Sequence, residues 1–295
     1  MIQNKIQGVG VALITPFNNY SVDYEALGRM VEYVIEGGVD YIVALGSTAE
    51  TATLSLKERQ EVLDFIVKQT AKRVPIVAGM GHNNTQALVE QLRSFDLSGA
   101  DAILSVVPYY NKPSQEGIYR HFMAVAEASP VPVIIYNVPG RTGVNMTAEA
   151  TLRLAHDSER IVAVKEASGD INQMQRILDG CPKEFLVLSG DDGLTVELIK
   201  RGGKGVISVA ANGFPERFCR CIHLAMEGNF AEAEAMMEEF AEPLRLIFYE
   251  GNPTSIKAMT ELKGLTRREV RLPLVEGSDE LVEATKSAIQ RYQLR

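Results

Sequence analysis

Lys165 directly follows a continuous apolar run, Ile161–Val164, and small and polar residues come after it. A short apolar run between turn residues is typical of a strand that is buried on both faces. Lysine is seldom fully buried, so a lysine at this position requires an explanation. One explanation is that its amine is a nucleophile that forms a Schiff base with a carbonyl substrate. An isolated lysine at a strand end more often extends its ammonium group into solvent. The residues that follow the other apolar runs must decide between these two interpretations.

Polar or small residues also follow seven other apolar runs, and their types suit chemistry on a keto acid. Tyrosines can transfer protons, whereas hydroxyl groups, backbone N–H groups and an arginine can bind carboxylates. Each residue also has an ordinary role, as a strand-end aromatic, a turn former, a solvated charge or a helix N-cap. Their joint occurrence with the lysine favours Schiff-base chemistry. The residues are Thr15, Ser47, Thr48, Tyr109, Tyr110, Tyr136, Arg141, Gly190, Asp191, Asp192, Ile207 and Ser208.

Apolar runs alternate with helical patterns from Gly8 to Met226, eight of each. This alternation predicts an α/β fold, a (β/α)₈ TIM barrel, in which the carboxyl ends of the strands carry the active site. An open doubly wound sheet is the alternative, but no Gly-x-Gly-x-x-Gly motif follows a strand. Beyond Gly228 the patterns are helical, with no strand between them. We therefore predict a catalytic barrel domain over residues 1–228 and an all-helical domain over residues 229–295.

The overall composition excludes several classes of function. A net charge of −8 and an isoelectric point near 5.2 argue against nucleic-acid binding, which requires a basic face. No apolar stretch is long enough to span a membrane, and the first residues do not resemble a signal peptide, so we expect a cytoplasmic protein. The three cysteines and four histidines are scattered, which predicts neither a disulfide framework nor a metal site.

Several longer motifs lie on the same strand ends, and together they carry a family resemblance. The sequence resembles the dihydrodipicolinate synthase / N-acetylneuraminate lyase family of class I aldolases over essentially its whole length. This resemblance implies a (β/α)₈ barrel with a C-terminal helical domain, assembled as a homotetramer from two tight dimers. The motifs are Gly46–Glu50, Pro108–Gly117, Tyr136–Gly143, Val164–Gly169 and Ser189–Asp192.

Within this family, Arg141 favours the synthase branch, because sialic-acid lyases typically lack an arginine in the Tyr-Asn-x-Pro-x-Arg-Thr motif. The resemblance then implies a condensation of pyruvate with L-aspartate 4-semialdehyde to 4-hydroxy-tetrahydrodipicolinate, a step in lysine and diaminopimelate biosynthesis. The reaction requires no metal and no organic cofactor. The alternative is another pyruvate-dependent aldolase or lyase that acts on N-acetylneuraminate or a 2-keto-3-deoxy sugar acid.

The resemblance also assigns roles to individual residues. Lys165 would condense with pyruvate, and Tyr136 would relay protons through Thr48 to Tyr110. In such enzymes that last tyrosine comes from the neighbouring subunit. The carboxylate of pyruvate would lie on the Ser47–Thr48 turn, and Arg141 would bind the carboxylate of aspartate semialdehyde. The implied substrate-binding residues are Ser47, Thr48, Arg141, Gly190 and Ile207.

Two departures from the family pattern affect these expectations. The usual Gly-Thr-Thr-Gly-Glu motif contains Ser47 and Ala49 here, and alanine restricts the backbone of the turn. The serine form is common in the lyase branch, so this motif does not separate the branches. Leu56 and Ala87 stand where lysine-inhibited members often have a histidine and a glutamate, so we expect weak or absent inhibition by lysine.

Overall fold

The computed structural model describes residues 2–294, and a closed barrel of eight parallel strands forms its centre. Strands β1 and β10 pair side by side and close the barrel, which confirms the predicted fold class. Strands β2 and β3 form a separate antiparallel hairpin that the sequence patterns did not indicate. The strands are β1 (Gly8–Ala12), β2 (Phe17–Asn18), β3 (Ser21–Val22), β4 (Tyr41–Ala44), β5 (Ile76–Gly79), β6 (Ala102–Val106), β7 (Val133–Asn137), β8 (Ile161–Glu166), β9 (Leu186–Ser189) and β10 (Gly205–Ser208).

Helices follow the barrel strands and form an outer layer, and further helices complete the chain after Met226. Local capping explains several helix ends. Ser55 and Glu58 form a capping box at the start of the second helix. The helices are α1 (Tyr24–Glu36), α2 (Leu56–Thr70), α3 (Thr85–Ser94), α4 (Gln115–Ala128), α5 (Pro139–Thr142), α6 (Ala148–Asp157), α7 (Ile171–Gly180), α8 (Thr195–Lys200), α9 (Pro215–Met226), α10 (Phe230–Glu239), α11 (Ala241–Leu246), α12 (Thr254–Leu262) and α13 (Asp279–Arg291).

Side chains alternate between the two faces of each barrel strand, so the protein has an inner and an outer apolar layer. The outer faces of the strands pack against the helices, as Ile135 and Val164 do. The inner faces fill the barrel itself, and Tyr136 belongs to this inner layer. Other members of the inner layer are Val43, Val77, Leu104, Ile134, Ala163, Leu188 and Ile207.

The helices after Met226 pack against the barrel and against one another. Helix α10 lies on α8 and α9, and the rings of Phe214 and Phe240 stack with their centroids 5.2 Å apart. The domain boundary predicted after residue 228 falls between α9 and α10, and the division into two domains stays a prediction. Within residues 2–294, no helix combines the length and the apolar character needed to cross a membrane.

A buried histidine between two outer helices gives the fold a pH dependence. His121 of α4 is 3% exposed, and its Nδ1 lies 2.9 Å from the hydroxyl of Thr85 on α3. Burial lowers the pKa of His121 to about 4. The unfolded chain binds this proton with a pKa of about 6.5. The native state therefore loses stability as the pH falls from the unfolded pKa towards the folded one.

We expect a His121→Gln variant to lose this part of the pH dependence, because glutamine does not titrate. Between pH 7 and pH 4, the free energy of unfolding of the wild type should fall by about 3 kcal/mol more than that of the variant. Urea denaturation at several pH values measures the difference. A His156→Gln variant, changed at an exposed position, is the control. Equal pH dependence in the wild type and His121→Gln would contradict the prediction.

Candidate active site

Lys165 and Tyr136 lie side by side at the carboxyl ends of two neighbouring strands. The register pairs Tyr136 of β7 with Lys165 of β8, so both side chains point to the same face of the sheet. The two residues are 7% and 5% exposed, and the Lys165 Nζ lies 4.2 Å from the centroid of the Tyr136 ring. The structure thus brings the predicted amine and the predicted proton-transfer group together inside the barrel mouth.

Gly190 makes room for the Lys165 side chain at the end of β9. A Cβ atom on Gly190 would lie 3.1 Å from Lys165 Cε and 2.5 Å from Ala167 Cβ. The shorter distance is one that packed carbon atoms do not adopt, so any other residue at this position would displace Ala167 and crowd the lysine. Gly190 therefore leaves the space that the Lys165 side chain occupies. Its predicted contact with substrate stays a prediction.

The loop after β4 carries the hydroxyl groups of the predicted site. Residues Ser47–Ala49 form one turn of 3₁₀-helix, in which Thr48 is buried and Ser47 is exposed. Ala49 lies inside this turn, and the left-handed conformation falls on Glu50 instead, with a φ of 54°. The alanine in place of the usual glycine therefore fits the turn without backbone strain.

A buried ion pair connects this loop to the C-terminal helices. Glu50 pairs with Lys257 of α12, and both side chains are almost completely buried. Lys257 also donates to the Glu269 carbonyl oxygen at 2.8 Å, and Glu50 accepts from the Arg271 N–H at 2.9 Å. Desolvation lowers the pKa of Lys257 to about 8, although the neighbouring Glu50 carboxylate opposes the shift. The C-terminal segments thereby hold the loop that positions Thr48.

Asn252 joins two predicted site residues, and the sequence patterns did not identify it. Its side-chain Nδ2 donates to Thr48 Oγ1 at 2.8 Å, while its carbonyl oxygen accepts from Arg141 Nη2 at 3.0 Å. The residue lies in the turn between α11 and α12. The Gly251-Asn252-Pro253 sequence marks that turn, but nothing in its spacing indicates that it reaches the barrel mouth.

Glu166, the residue after Lys165, fixes the end of β8 from the opposite face. Its buried carboxylate accepts bonds from Asn137 Nδ2, from Gln173 Nε2 at 3.0 Å and from the Ser168 N–H at 2.8 Å. Burial raises the pKa of Glu166, and these donors oppose that shift. Because Asn137 follows Tyr136, the network ties together the two strands that carry the amine and the tyrosine.

Asp192 does not cap a helix, which was the ordinary role considered for it. The N-cap of α8 is Leu194, whereas Asp192 is buried and accepts from the backbone N–H groups of Val209 and Ala210, both at 3.1 Å. Desolvation raises the pKa of Asp192 to about 6. Its carboxylate therefore binds the end of β9 to the segment after β10, next to the site.

These side chains surround a cavity of about 420 Å³ at the carboxyl ends of the strands. Within residues 2–294, no three His, Cys, Asp or Glu side chains are grouped as a metal site requires. Six of the eight residues that the family resemblance assigned to the site line the cavity, as does Asp191, and the C-terminal segment adds several that were not predicted. The predicted ones are Lys165, Tyr136, Ser47, Thr48, Arg141 and Gly190, and the added ones are Leu244, Arg245, Phe248 and Asn252.

The other two residues that the resemblance assigned to the site lie outside this cavity. Tyr110 is 87% exposed and does not line the cavity of its own chain. The Ile207 side chain packs in the inner apolar layer of the barrel, and from the same region it is Val209 that borders the cavity. Roles for Tyr110 and Ile207 in the site therefore stay predictions.

Comparison with known proteins identifies the family. A family model described as the dihydrodipicolinate synthetase family matches residues 5–292. The chain belongs to this family. A relative from Phocaeicola vulgatus, named 4-hydroxy-tetrahydrodipicolinate synthase, is 49% identical over 296 residues, which cover 100% of both proteins. The dihydrodipicolinate synthetase family is the one that the motifs indicated, and the names of such relatives confirm the predicted class of enzyme.

Solved structures from the dihydrodipicolinate synthetase family have the same fold. The chloride-inhibited dihydrodipicolinate synthase from Acinetobacter baumannii, complexed with pyruvate, has a TM-score of 0.94 and 38% identity. That match covers 98% of this chain and 100% of the other. A monomeric dihydrodipicolinate synthase variant has a TM-score of 0.97 and 34% identity, with 100% and 99% of the two chains covered.

Proposed function

We propose that this protein condenses pyruvate with L-aspartate 4-semialdehyde through a Schiff base on Lys165. The observation that carries the proposal is the buried Lys165 amine beside the Tyr136 ring, 4.2 Å from its centroid. The Phocaeicola vulgatus relative has the name of this activity, and the Acinetobacter baumannii relative was solved with pyruvate. The product is 4-hydroxy-tetrahydrodipicolinate, and one water molecule is released.

The chemistry proceeds in four steps that regenerate the lysine. The Lys165 amine attacks the keto carbon of pyruvate, and loss of water gives an iminium ion. Loss of a proton from the methyl group then gives an enamine. Its terminal carbon attacks the aldehyde carbon of aspartate semialdehyde, whose oxygen becomes a hydroxyl group. Finally, the amino group of that substrate attacks the iminium carbon, which closes the ring and releases the Lys165 amine.

The neighbouring residues bind the two anionic substrates and move protons. Tyr136 transfers protons to and from the reacting carbons and oxygens, as the family resemblance implies, and its ring lies against the lysine. The N–H groups and hydroxyls of Ser47 and Thr48 bind the pyruvate carboxylate. Arg141 binds the carboxylate of aspartate semialdehyde, and its bond to the Asn252 carbonyl oxygen leaves other N–H groups of the guanidinium available.

A product assay tests this function directly. Pyruvate and aspartate semialdehyde should be consumed together in equal amounts with no cofactor added, and 4-hydroxy-tetrahydrodipicolinate should accumulate. Omission of either substrate is the control. Faster release of pyruvate from N-acetylneuraminate or from a 2-keto-3-deoxy sugar acid would contradict the proposal and would favour a lyase of the same fold.

A second copy of the chain completes the site in this proposal, within a homotetramer of tight dimers. Tyr110 has a positive φ of 73° and projects from the surface, 87% exposed. Leu272 and Val275 of the C-terminal segment are also exposed and apolar, and a partner could cover them. A partner chain would then place its own Tyr110 near Thr48, at the end of the proton relay.

We expect Tyr110→Phe to lower kcat by about 10²-fold or more, the typical contribution of one proton-transfer group. The fold should be unaffected, because the side chain is exposed. Tyr249→Phe removes the hydroxyl of another exposed tyrosine and is the matched control. Steady-state kinetics and thermal unfolding measure both effects.

The same variant tests whether Tyr110 acts across a subunit boundary. A mixture of inactive Tyr110→Phe and Lys165→Met chains should regain activity, because a mixed dimer contains one site with both intact residues. Random exchange in equal amounts should restore about a quarter of the wild-type activity. No recovery after proven subunit exchange would show that Tyr110 acts within its own chain or not at all.

The predicted cytoplasmic location and weak response to lysine stay predictions.

A further inference from the structure

The rim of the Lys165 cavity contains a second arginine that neither the motifs nor the family comparison assigns. Arg245 lies on α11 and lines the same cavity as Arg141 and Lys165. We propose that Arg245 binds the carboxylate of the second substrate as that substrate enters and thereby contributes to specificity for an anionic aldehyde. This inference rests on the proposed function, because it assumes an aldehyde substrate that carries a carboxylate.

The charge of Arg245 is not neutralised by a neighbouring acid. Within residues 2–294, no carboxylate forms an ion pair with its guanidinium, which instead faces the Tyr249 ring at 5.3 Å from the centroid. The acidic residue on the same helix, Glu242, pairs with Arg291 at 2.9 Å. Contact with an aromatic face leaves the N–H edges of a guanidinium free to bind a carboxylate.

The charges around the cavity favour an anion, although the whole chain is acidic. Arg141 and Arg245 contribute two positive charges to the lining, and Asp191 contributes one negative charge. The Asp191 carboxylate already accepts from the Gly193 N–H at 2.9 Å. A locally positive cleft in a protein with a net charge of −8 concentrates anionic ligands at the cleft.

The two arginines differ in how firmly they are held. Arg141 is anchored by its bond to the Asn252 carbonyl oxygen, so it can hold a substrate in one orientation. Arg245 is an exposed residue beside Leu244 and Phe248, which also border the cavity. No such side-chain bond holds Arg245 among residues 2–294, so its guanidinium suits capture of the carboxylate before the substrate settles against Arg141.

Kinetics of Arg245→Gln test the proposal. At low ionic strength, KM for aspartate semialdehyde should rise about 10-fold, the typical loss of one charged hydrogen bond, while KM for pyruvate changes less than about 2-fold. Arg245→Lys should recover part of the effect, because it restores the charge without the fork geometry. Arg176→Gln changes the net charge equally on the outer helix α7 and is the matched control.

A binding measurement separates failure of this inference from failure of the proposed function. Calorimetric titration with glutarate, a dicarboxylate probe, should show about 10-fold weaker binding to Arg245→Gln than to the wild type and to Arg176→Gln. If the wild type makes no product but this difference is found, the anion site stands and the proposed reaction fails. If the wild type is active and Arg245→Gln matches Arg176→Gln in both measurements, the inference is wrong. Equal rises in KM for both substrates would also overturn it.

Discussion

Replacement of Lys165 with methionine should lower kcat/KM by at least about 10⁴-fold, because loss of a covalent nucleophile leaves only binding and proton transfer. Lys165 is buried beside Tyr136 in a space that Gly190 keeps open, and methionine fills most of that space. The native state should therefore stay folded. Steady-state kinetics with both substrates, together with thermal unfolding of the variant, measure the two expectations.

Covalent trapping tests the same residue without turnover. Borohydride reduction in the presence of pyruvate should leave a pyruvate-derived adduct on the peptide that contains Lys165, and the Lys165→Met variant should gain none. Lys112→Met changes an exposed lysine of the strand-end motifs and should trap pyruvate as the wild type does. An adduct on another lysine, or no adduct in the wild type, would contradict the assignment of Lys165.

Replacement of Lys257 with methionine should lower the free energy of unfolding by about 3–5 kcal/mol. The Lys257 and Glu50 side chains are 0% and 1% exposed, so the variant leaves a carboxylate buried without its counter-charge. The loop with Thr48 should also lose its anchor to α12, so kcat should fall as well. Urea denaturation and steady-state kinetics measure these losses.

A double variant separates the ion pair from simple packing. Glu50→Gln combined with Lys257→Met removes both charges and keeps an acceptor for the Arg271 N–H. It should recover most of the lost stability, which gives a large coupling energy. Lys200→Met breaks the exposed pair with Glu234 and should cost no more than about 1 kcal/mol. Equal losses in Lys257→Met and Lys200→Met would contradict a special role for the buried pair.

The sequence by itself determined the barrel and placed Lys165 and Tyr136, the proposed reacting pair, at its strand ends. Alternating apolar runs and helical patterns are local features, and a parallel barrel brings the carboxyl end of every strand to one mouth. The predictions for Lys165 and Tyr136 therefore followed from their positions at strand ends, and the structure brings the two side chains together. The long motifs indicated one family, and the match to the family model confirmed that prediction.

Only the tertiary structure decided which C-terminal residues reach the site. Asn252 bonds to Thr48 across 204 residues of sequence, and Lys257 pairs with Glu50 across 207. Such contacts depend on how the C-terminal helices pack on the barrel, and no local periodicity encodes that packing. The same reason applies to Arg245, because its helix contains none of the family motifs. Tyr110 shows the converse case, because its motif is clear but its exposed side chain does not line its own cavity.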